Sequence, residues 1–174
     1  TAIVETFIVG GAAGAAMTGT IPVVELQFAD FLFIAGDEVL NKLAKWRYMH
    51  GGQLELPVVV RAPMGLVGGV GAEHSQCPEA MLLNAPGLKI VLPATPADAK
   101  GLLKTAIRDR NPVIFLEHKG LYRIKGEVPL DEDYTVPFGQ AAVRREGTDL
   151  TIIATAMMVG RSLEAAERLA LDGI

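Results

Sequence analysis

Apolar and polar residues follow one another along the chain in blocks that predict alternating strands and helices. Four short apolar blocks bounded by turn residues are typical of strands buried in a sheet: 21–28, 56–61, 88–92 and 113–116. Helices are predicted between them and at the start, at 4–17, 30–49, 75–83 and 97–108. Strands that alternate with helices indicate an α/β fold with a parallel sheet and right-handed crossovers.

The hydrophobic pattern changes in the last third of the chain. From 122 to about 138 the periodicity is lost among prolines and acids, which predicts a linker. A strand at 150–154 and a helix at 160–171 follow, and such a pair cannot bury both of its faces alone. We therefore predict a first domain at 1–121, a linker at 122–147, and the first strand and helix of a second domain at 148–174. The start at Thr1 without methionine and the end at Ile174 lead us to expect a fold truncated at both ends.

Composition places the chain among globular proteins. Its 174 residues are 50% hydrophobic and 21% charged, which is enough to bury a core and unlike a disordered chain. The net charge of −4 gives no electrostatic case for binding nucleic acid or an anionic membrane. The longest apolar candidate, 23–35, is interrupted by polar residues and too short to span a membrane. The lone Cys77 excludes an internal disulfide and fits a reducing compartment.

A glycine-rich segment from Arg61 to Gln76 follows the second predicted strand. It contains four glycines within seven residues and then presents His74. In open α/β sheets, ligands bind just beyond the carboxyl ends of the strands. The segment lacks the third glycine of a dinucleotide fingerprint and the Gly-Lys-Ser/Thr of a phosphate loop. We therefore expect backbone held close to a ligand, with His74 either acting on that ligand or fixing the loop by a hydrogen bond.

Other candidate residues each leave two interpretations open. Glu5 begins an apolar helix: it is either a functional buried acid or an exposed acid that suits the helix dipole. Phe28, Phe31 and Phe33 either belong to the core or offer a flat surface to a heteroaromatic ring. The run 109–111 either caps a helix or helps to hold a hard cation. No second Cys-x-x-Cys or histidine pair supports a zinc site.

Several motifs that occur in register carry a resemblance to a known family. They are Glu5 in a small-residue helix, Pro-Val-Val-Glu-Leu-Gln-Phe-Ala-Asp-Phe at 22–31, Asn-Lys-Leu-Ala-Lys at 41–45, Gly-Ala-Glu-His-Ser-Gln at 71–76, Pro-Gly-Leu-Lys at 86–89 and Asp-Ala-Lys-Gly-Leu-Leu at 98–103. Together they resemble the β subunit of the thiamine-diphosphate-dependent 2-oxoacid dehydrogenases, which include the pyruvate, branched-chain 2-oxoacid and acetoin enzymes. The resemblance covers essentially the whole chain.

The resemblance implies an architecture and partners. The fold would be a transketolase-like pyrimidine-binding domain, a three-layer sandwich whose mostly parallel sheet has helices on both faces, followed by a smaller C-terminal domain. An α subunit would supply the diphosphate and magnesium site in an α₂β₂ tetramer. The absence of a Gly-Asp-Gly motif with a downstream asparagine from this chain agrees with that division. A lipoyl acyltransferase core is the other implied partner. The implied location is the bacterial or archaeal cytoplasm, the mitochondrial matrix or the plastid.

The resemblance also implies roles for single residues. Glu5 matches the glutamate that hydrogen-bonds the aminopyrimidine ring nitrogen, so that the 4′-amino group can take the C2 proton of the thiazolium. Gln27 and Phe31 match cofactor-binding positions, and Phe31 would pack on the pyrimidine. His74 matches a histidine at the channel mouth that aids substrate binding and acyl transfer to lipoyl groups.

The resemblance also assigns two further sets of residues to positions of the family. A structural monovalent cation such as potassium would be held, largely through backbone oxygens, by Val58, Ala106, Asp109 and Asn111. Close-packed helices at the subunit interface would include Gly10 and Gly14. The expected activity is decarboxylation of a 2-oxoacid with acyl transfer to lipoamide. The alternatives are cleavage of acetoin, a transketolase or deoxyxylulose-phosphate synthase reaction, and a noncatalytic assembly role.

Overall fold

One parallel sheet lies at the centre of the molecule. The computed structural model describes residues 2–174, and the strands are β1 (Val23–Glu25), β2 (Val59–Met64), β3 (Lys89–Val91) and β4 (Val113–His118). Neighbouring strands are hydrogen-bonded in the order β1-β2-β4-β3, and every pair is parallel. The α/β fold with a parallel sheet is therefore confirmed, although the observed strands differ from the predicted ones at their ends.

Helices of three kinds connect and cover the strands. The α-helices within residues 2–174 are α1 (Glu5–Met17), α2 (Ala44–Met49), α3 (Glu79–Leu83), α4 (Pro96–Arg108) and α5 (Met157–Leu169). Short 3₁₀ helices occupy Ala29–Phe33, Ala72–His74, Lys119–Leu121 and Ala170–Asp172, and a π-helical turn occupies Glu38–Leu43. None of the helices in the described range has the length and hydrophobicity that crossing a membrane requires.

The central strands β2 and β4 are buried on both faces. Successive side chains of a strand point to opposite sides, so each strand contributes to two core clusters. On one face, Val60 and Ile114 belong to a core cluster that also contains Val9 of α1. On the other face, Val59 and Phe115 belong to a second cluster, against which Leu102 and Leu103 of α4 pack. Helices thus cover both faces, and the expected three-layer arrangement is confirmed.

The single helix predicted at 30–49 is instead a succession of three helical types. Its buried residues lie three apart at first and four apart later: Ala29, Leu32, Ala35, Val39 and Leu43. A 3₁₀ helix has three residues per turn and places residues i and i+3 on one face, so the early spacing buries one side of the 3₁₀ helix. The later spacing suits the wider turns that follow. The prediction of one continuous helix was wrong because the spacing changes within it.

The segment predicted as a linker packs along α4 without regular secondary structure. Thr105 Oγ1 in α4 donates a hydrogen bond to the carbonyl oxygen of Val136 at 2.6 Å. A Cβ at Gly101 would lie 2.5 Å from Cγ2 of Val136, so a glycine is needed for the approach. Arg144 donates to both carboxylate oxygens of Asp98 at 3.0 Å. The chain after β4 is therefore held against the outer face of α4.

The strand predicted at 150–154 is absent from the described structure. Ile152 is 46% exposed and Ile153 is 92% exposed, and no strand of the sheet pairs with this segment. A β-strand persists only where a neighbouring strand satisfies its backbone groups, and residues 2–174 offer none here. The helix predicted to follow is present as α5, with bounds shifted toward the N-terminus.

Candidate active site

Several candidate side chains meet at the carboxyl edge of the sheet. The 3₁₀ helix with Asp30 and Phe31 follows β1, the glycine-rich loop with His74 follows β2, and Lys119 follows β4. Because β1, β2 and β4 are parallel neighbours, the segments after them emerge at one edge. Ligands of open α/β sheets bind at such an edge.

Three rings form an aromatic cluster at this edge, which we define as Phe28, Phe31 and His74. The His74 ring centroid lies 4.4 Å from that of Phe28 and 5.5 Å from that of Phe31, with edge-to-face geometry in both pairs. Phe28 and Phe31 are 5.8 Å apart, also edge to face. The rings are half-buried, whereas Phe33 is exposed. The structure thus brings two predicted site residues, Phe31 and His74, into one surface.

Lys119 adds a positive charge to this surface. Its ammonium group lies 4.7 Å from the centroid of the Phe28 ring and donates a hydrogen bond to the carbonyl oxygen of His74. The sequence analysis missed Lys119 because the predicted strand stopped at Leu116. A signal was present: a histidine and a lysine that directly follow a buried strand lie at the sheet edge where ligands bind.

Asp30 is a second residue that the sequence analysis missed. It is 6% exposed, and its Oδ1 accepts a hydrogen bond from the backbone N–H of Gln76 at 3.2 Å. Its Oδ2 is also buried and has no hydrogen-bond partner in the part of the chain that the structure describes. Acids are seldom this deeply buried unless they are paired. The signal available in the sequence was an acid set among Phe28, Phe31 and Leu32.

Glu5 is the first residue of α1 and is only 7% exposed. The interpretation as an exposed acid that merely suits the helix dipole is therefore wrong. No side chain or backbone group of residues 2–174 donates a hydrogen bond to its carboxylate. By contrast, Gln27 is exposed and likewise makes no side-chain hydrogen bond within the described chain. Neither residue is linked by a described hydrogen bond to the aromatic cluster.

The glycine-rich loop is closed at its base. The N–H of Gly65 donates to the carbonyl oxygen of Gln76 at 3.0 Å. Gly65 has a φ of 80°, and a Cβ there would lie 2.2 Å from Nε2 of His118, so only glycine fits. His118 in turn accepts a hydrogen bond at Nδ1 from the N–H of Gly120 at 3.1 Å. Burial and the neighbouring Lys119 charge lower the pKa of His118.

An ion-pair network lies on the face of the sheet that α4 covers, beside a cleft of about 420 Å³. Glu117 is 8% exposed and accepts two hydrogen bonds from Arg61, at 2.6 and 2.9 Å. Arg61 also donates to Glu25 at 2.8 Å, and the Tyr122 hydroxyl donates to Glu117 at 2.9 Å. Burial and the bond to Glu117 raise the pKa of Tyr122. Since its polar groups satisfy one another, we interpret this network as structural.

The four residues matched to a cation site lie near the start of β4. The carbonyl of Val58 accepts the N–H of Val113 at 2.9 Å, and that of Ala106 accepts the N–H of Asp109 at 3.2 Å. Burial opposes ionisation of Asp109, but bonds from Lys89 and Asn111 outweigh it and lower its pKa. Asn111 Oδ1 accepts a hydrogen bond from Arg47 at 2.7 Å. The side-chain oxygens are thus engaged, and the second lone pairs of the backbone carbonyls remain for a cation.

Residues 1–125 match the sequence profile described as the transketolase pyrimidine binding domain. The chain belongs to this family. Residues 139–174 match the profile described as the transketolase C-terminal domain. The computed fold is similar to a solved structure titled "Split gene transketolase, inactive beta4 tetramer", with a TM-score of 0.77, 28% identity, and coverage of 99% of this chain and 52% of that one.

Three curated relatives of this pyrimidine-binding family member match over its full length. They are the 2-oxoisovalerate dehydrogenase subunit beta of Bacillus subtilis (52% identical, 53% of that protein covered), the acetoin:2,6-dichlorophenolindophenol oxidoreductase subunit beta of Cupriavidus necator (49%, 51% covered) and the mitochondrial pyruvate dehydrogenase E1 component subunit beta-1 of Arabidopsis thaliana (46%, 49% covered). The chain spans about half the length of these relatives.

We expect the stability of this family member to depend on the protonation of His118. Because the folded state lowers the pKa of His118, its contribution is fully present above the unfolded value of about 6.5 and is lost as the pH falls below that value and through the lowered pKa of the folded state. His118→Asn keeps an acceptor for Gly120 but cannot titrate. Urea unfolding followed by far-ultraviolet circular dichroism, between about pH 8 and 5.5, should lose part of its pH dependence in this variant.

His50→Asn is the matched control, because His50 is exposed and lies on another surface. The free energy of unfolding of this variant should depend on pH as it does in the unsubstituted chain. An unchanged pH dependence in His118→Asn would show that the His118 environment does not act on stability.

Proposed function

We propose that this chain supplies the pyrimidine-binding half of a thiamine diphosphate site in the β subunit of a 2-oxoacid dehydrogenase. The observation that carries the proposal is Glu5, an acid that begins α1 and is only 7% exposed. Acids are seldom buried to this degree, and its carboxylate oxygens keep some access to solvent, so a partner from outside the described chain can reach them. A ring nitrogen that shares a proton with the acid is such a partner, and the aminopyrimidine ring carries one.

The aromatic cluster fits the flat part of the same cofactor. Phe31 offers a half-buried ring beside which a pyrimidine can pack, and His74 lies 5.5 Å from that ring. We propose that an α subunit supplies the diphosphate and magnesium site, as the resemblance to the 2-oxoacid dehydrogenase β subunits implies.

The residues would act by positioning and by proton transfer. Thiamine diphosphate, when bound, supplies the electron sink that cleavage of a bond next to a carbonyl requires. Glu5 would hold the pyrimidine ring by sharing a proton with a ring nitrogen. Phe31 would pack against the face of that ring. His74 donates or accepts a proton for the acyl acceptor that arrives at the open side of the site.

An open face of α1 supports assembly with other subunits. Phe7 is 63% exposed, and a Cβ at Gly11 or Gly14 would meet no atom within 4 Å. Gly10 lies on the same side of the helix, and a Cβ there would lie 3.2 Å from Oε2 of the Glu38 side chain. We keep both Gly10 and Gly14 in the proposed subunit interface. We propose an α₂β₂ tetramer that delivers acyl groups to a lipoyl acyltransferase core.

We propose the substrate class from the names of the relatives. The relative with 52% identity is named for 2-oxoisovalerate, which favours a branched-chain 2-oxoacid. The relative with 49% identity is named for acetoin, which makes acetoin cleavage the second candidate. Turnover of 2-oxoisovalerate, pyruvate and acetoin by the assembled enzyme, compared at equal concentration, separates the candidates. A sugar-phosphate assay tests the transketolase alternative.

Domain boundaries and location are also part of the proposal. We place the pyrimidine-binding domain at 1–121, a linker at 122–147 and the start of the C-terminal domain at 148–174. The relatives include bacterial proteins and a plant mitochondrial protein. We propose the bacterial or archaeal cytoplasm, or the mitochondrial matrix or plastid of a eukaryote, as the location.

A monovalent cation is the further component that we propose. Backbone oxygens of four residues would hold potassium where the end of α4 meets the start of β4: Val58, Ala106, Asp109 and Asn111. Replacing potassium chloride by tetramethylammonium chloride at equal ionic strength should lower the melting temperature of the full-length protein, because a ligand that binds only the folded state stabilises it. An identical melting temperature in both salts would argue against a cation at this place.

Glu5→Gln provides the sharpest test of the proposed chemistry. In the full-length β subunit with its α partner, thiamine diphosphate and magnesium, we expect turnover to fall by a factor of about 10² to 10⁴, because glutamine cannot supply the proton. Glu55→Gln removes a surface acid that pairs with Arg110 and serves as the control. Turnover of Glu5→Gln equal to that of the control would refute the role assigned to Glu5.

A further inference from the structure

The short segment that carries His74 is fixed at two points by side chains from two other elements. Asp30 Oδ1, in the 3₁₀ helix after β1, accepts the N–H of Gln76 at 3.2 Å. Lys119, in the 3₁₀ helix after β4, donates its ammonium hydrogen bond to the carbonyl of His74. We call these two contacts the His74 clamp. They join the segments after β1, β2 and β4, and all three segments contribute to the surface around the aromatic cluster.

The burial of Asp30 indicates that its contact with Gln76 serves a role other than stability. The residue is 6% exposed, and its second oxygen has no donor within residues 2–174. A half-satisfied buried carboxylate costs stability, and an apolar residue at this position of the core would avoid that cost. Asp30 lies in sequence between Phe28 and Phe31. Its bond therefore links the segment that provides two rings of the cluster to the segment that provides the third.

Lys119 completes the arrangement from the other side. Its ammonium group lies over the Phe28 ring at 4.7 Å and is half-buried, so that the cation–π contact and the bond to the His74 carbonyl fix the same group. The His74 ring lies edge-on to Phe28 at 4.4 Å. Lys119 thus holds the backbone of His74 and one ring that the His74 side chain touches.

The loop before His74 explains why a clamp is needed. Gly65, Gly69 and Gly71 have positive φ values, and the stretch from 66 to 69 is exposed. Glycines lose more conformational freedom on ordering than other residues, so such a loop places its last residues poorly on its own. The clamp acts after the last glycine. It confines the freedom of the loop to residues that precede His74.

We propose that Asp30 and Lys119 are positioning residues that place His74 against Phe28 and Phe31 for transfer of the acyl group to its acceptor. The mechanical part of the proposal concerns this chain alone. The catalytic part rests on the proposed function, because it assigns to His74 the step that follows decarboxylation. The two parts have separate readouts.

The mechanical readout is hydrogen exchange of the amides at 72–76 in the full-length β subunit assembled with its α partner. Asp30→Ala and Lys119→Met each remove one contact and should raise exchange at least about tenfold, since hydrogen bonds to charged groups are the stronger ones. Asp30→Asn keeps an acceptor oxygen and should restore slow exchange. Asp37→Ala and Lys125→Met are the controls, because both remove exposed charges.

The catalytic readout compares two acceptors in the same preparations. Displacement of His74 should lower kcat/KM for the lipoyl domain by about 10-fold to 10²-fold in Asp30→Ala and Lys119→Met, as small misplacements of reacting groups do. The rate with an artificial electron acceptor, which needs no acyl transfer, should fall much less. Asp30→Asn should recover most of the lipoyl-dependent rate.

Each result decides one part. Exchange at 72–76 that stays unchanged in both Asp30→Ala and Lys119→Met overturns the clamp, whatever the enzyme does. Faster exchange with an unchanged ratio of the two rates overturns the positioning of His74 for acyl transfer. Failure of Asp30→Asn to rescue would reduce Asp30 to a general structural role. Absence of thiamine-diphosphate-dependent turnover in the unsubstituted complex refutes the proposed function, while the exchange results still decide the clamp.

Discussion

The pairing of β2 with β4 is the constraint on which the rest of the structure depends. Six consecutive residues of each strand are in parallel register, from Val59 beside Val113 to Met64 beside His118. Both strands are buried on both faces, so a slip by one residue would exchange their two core surfaces. The bidentate bond between Arg61 and Glu117 ties the same two strands. The register therefore fixes where the glycine-rich loop and Lys119 emerge.

Buried acids divide into two groups according to how their charge is satisfied. Glu117 accepts hydrogen bonds from the Arg61 guanidinium and the Tyr122 hydroxyl, and it stabilises the junction of β2 and β4. Asp30 is satisfied at one oxygen only, and its second oxygen is buried without a donor in the described residues. Glu5 is buried as a residue, but its carboxylate keeps some access to solvent. An unmet buried hydrogen bond such as that of Asp30 is costly and calls for an explanation.

The sequence predicted those features that follow from local patterns. Alternating apolar blocks were sufficient for the parallel α/β fold, and the motifs around Phe31 and His74 led to two residues that the structure brings together. The contacts that make Asp30 and Lys119 important reach residues 46 and 45 positions away in the chain, and no local period records such contacts. The predicted strand at 150–154 failed for a related reason, since an apolar segment becomes a strand only beside a partner.

We propose that this chain carries half of a cofactor site and that another chain completes it. Titration calorimetry with thiamine diphosphate and magnesium, on the full-length β subunit alone, the α subunit alone and the assembled complex, tests that claim most directly. We expect strong binding by the complex and little or none by either subunit alone. Equally strong binding by one subunit alone, or no binding by the complex, would contradict it.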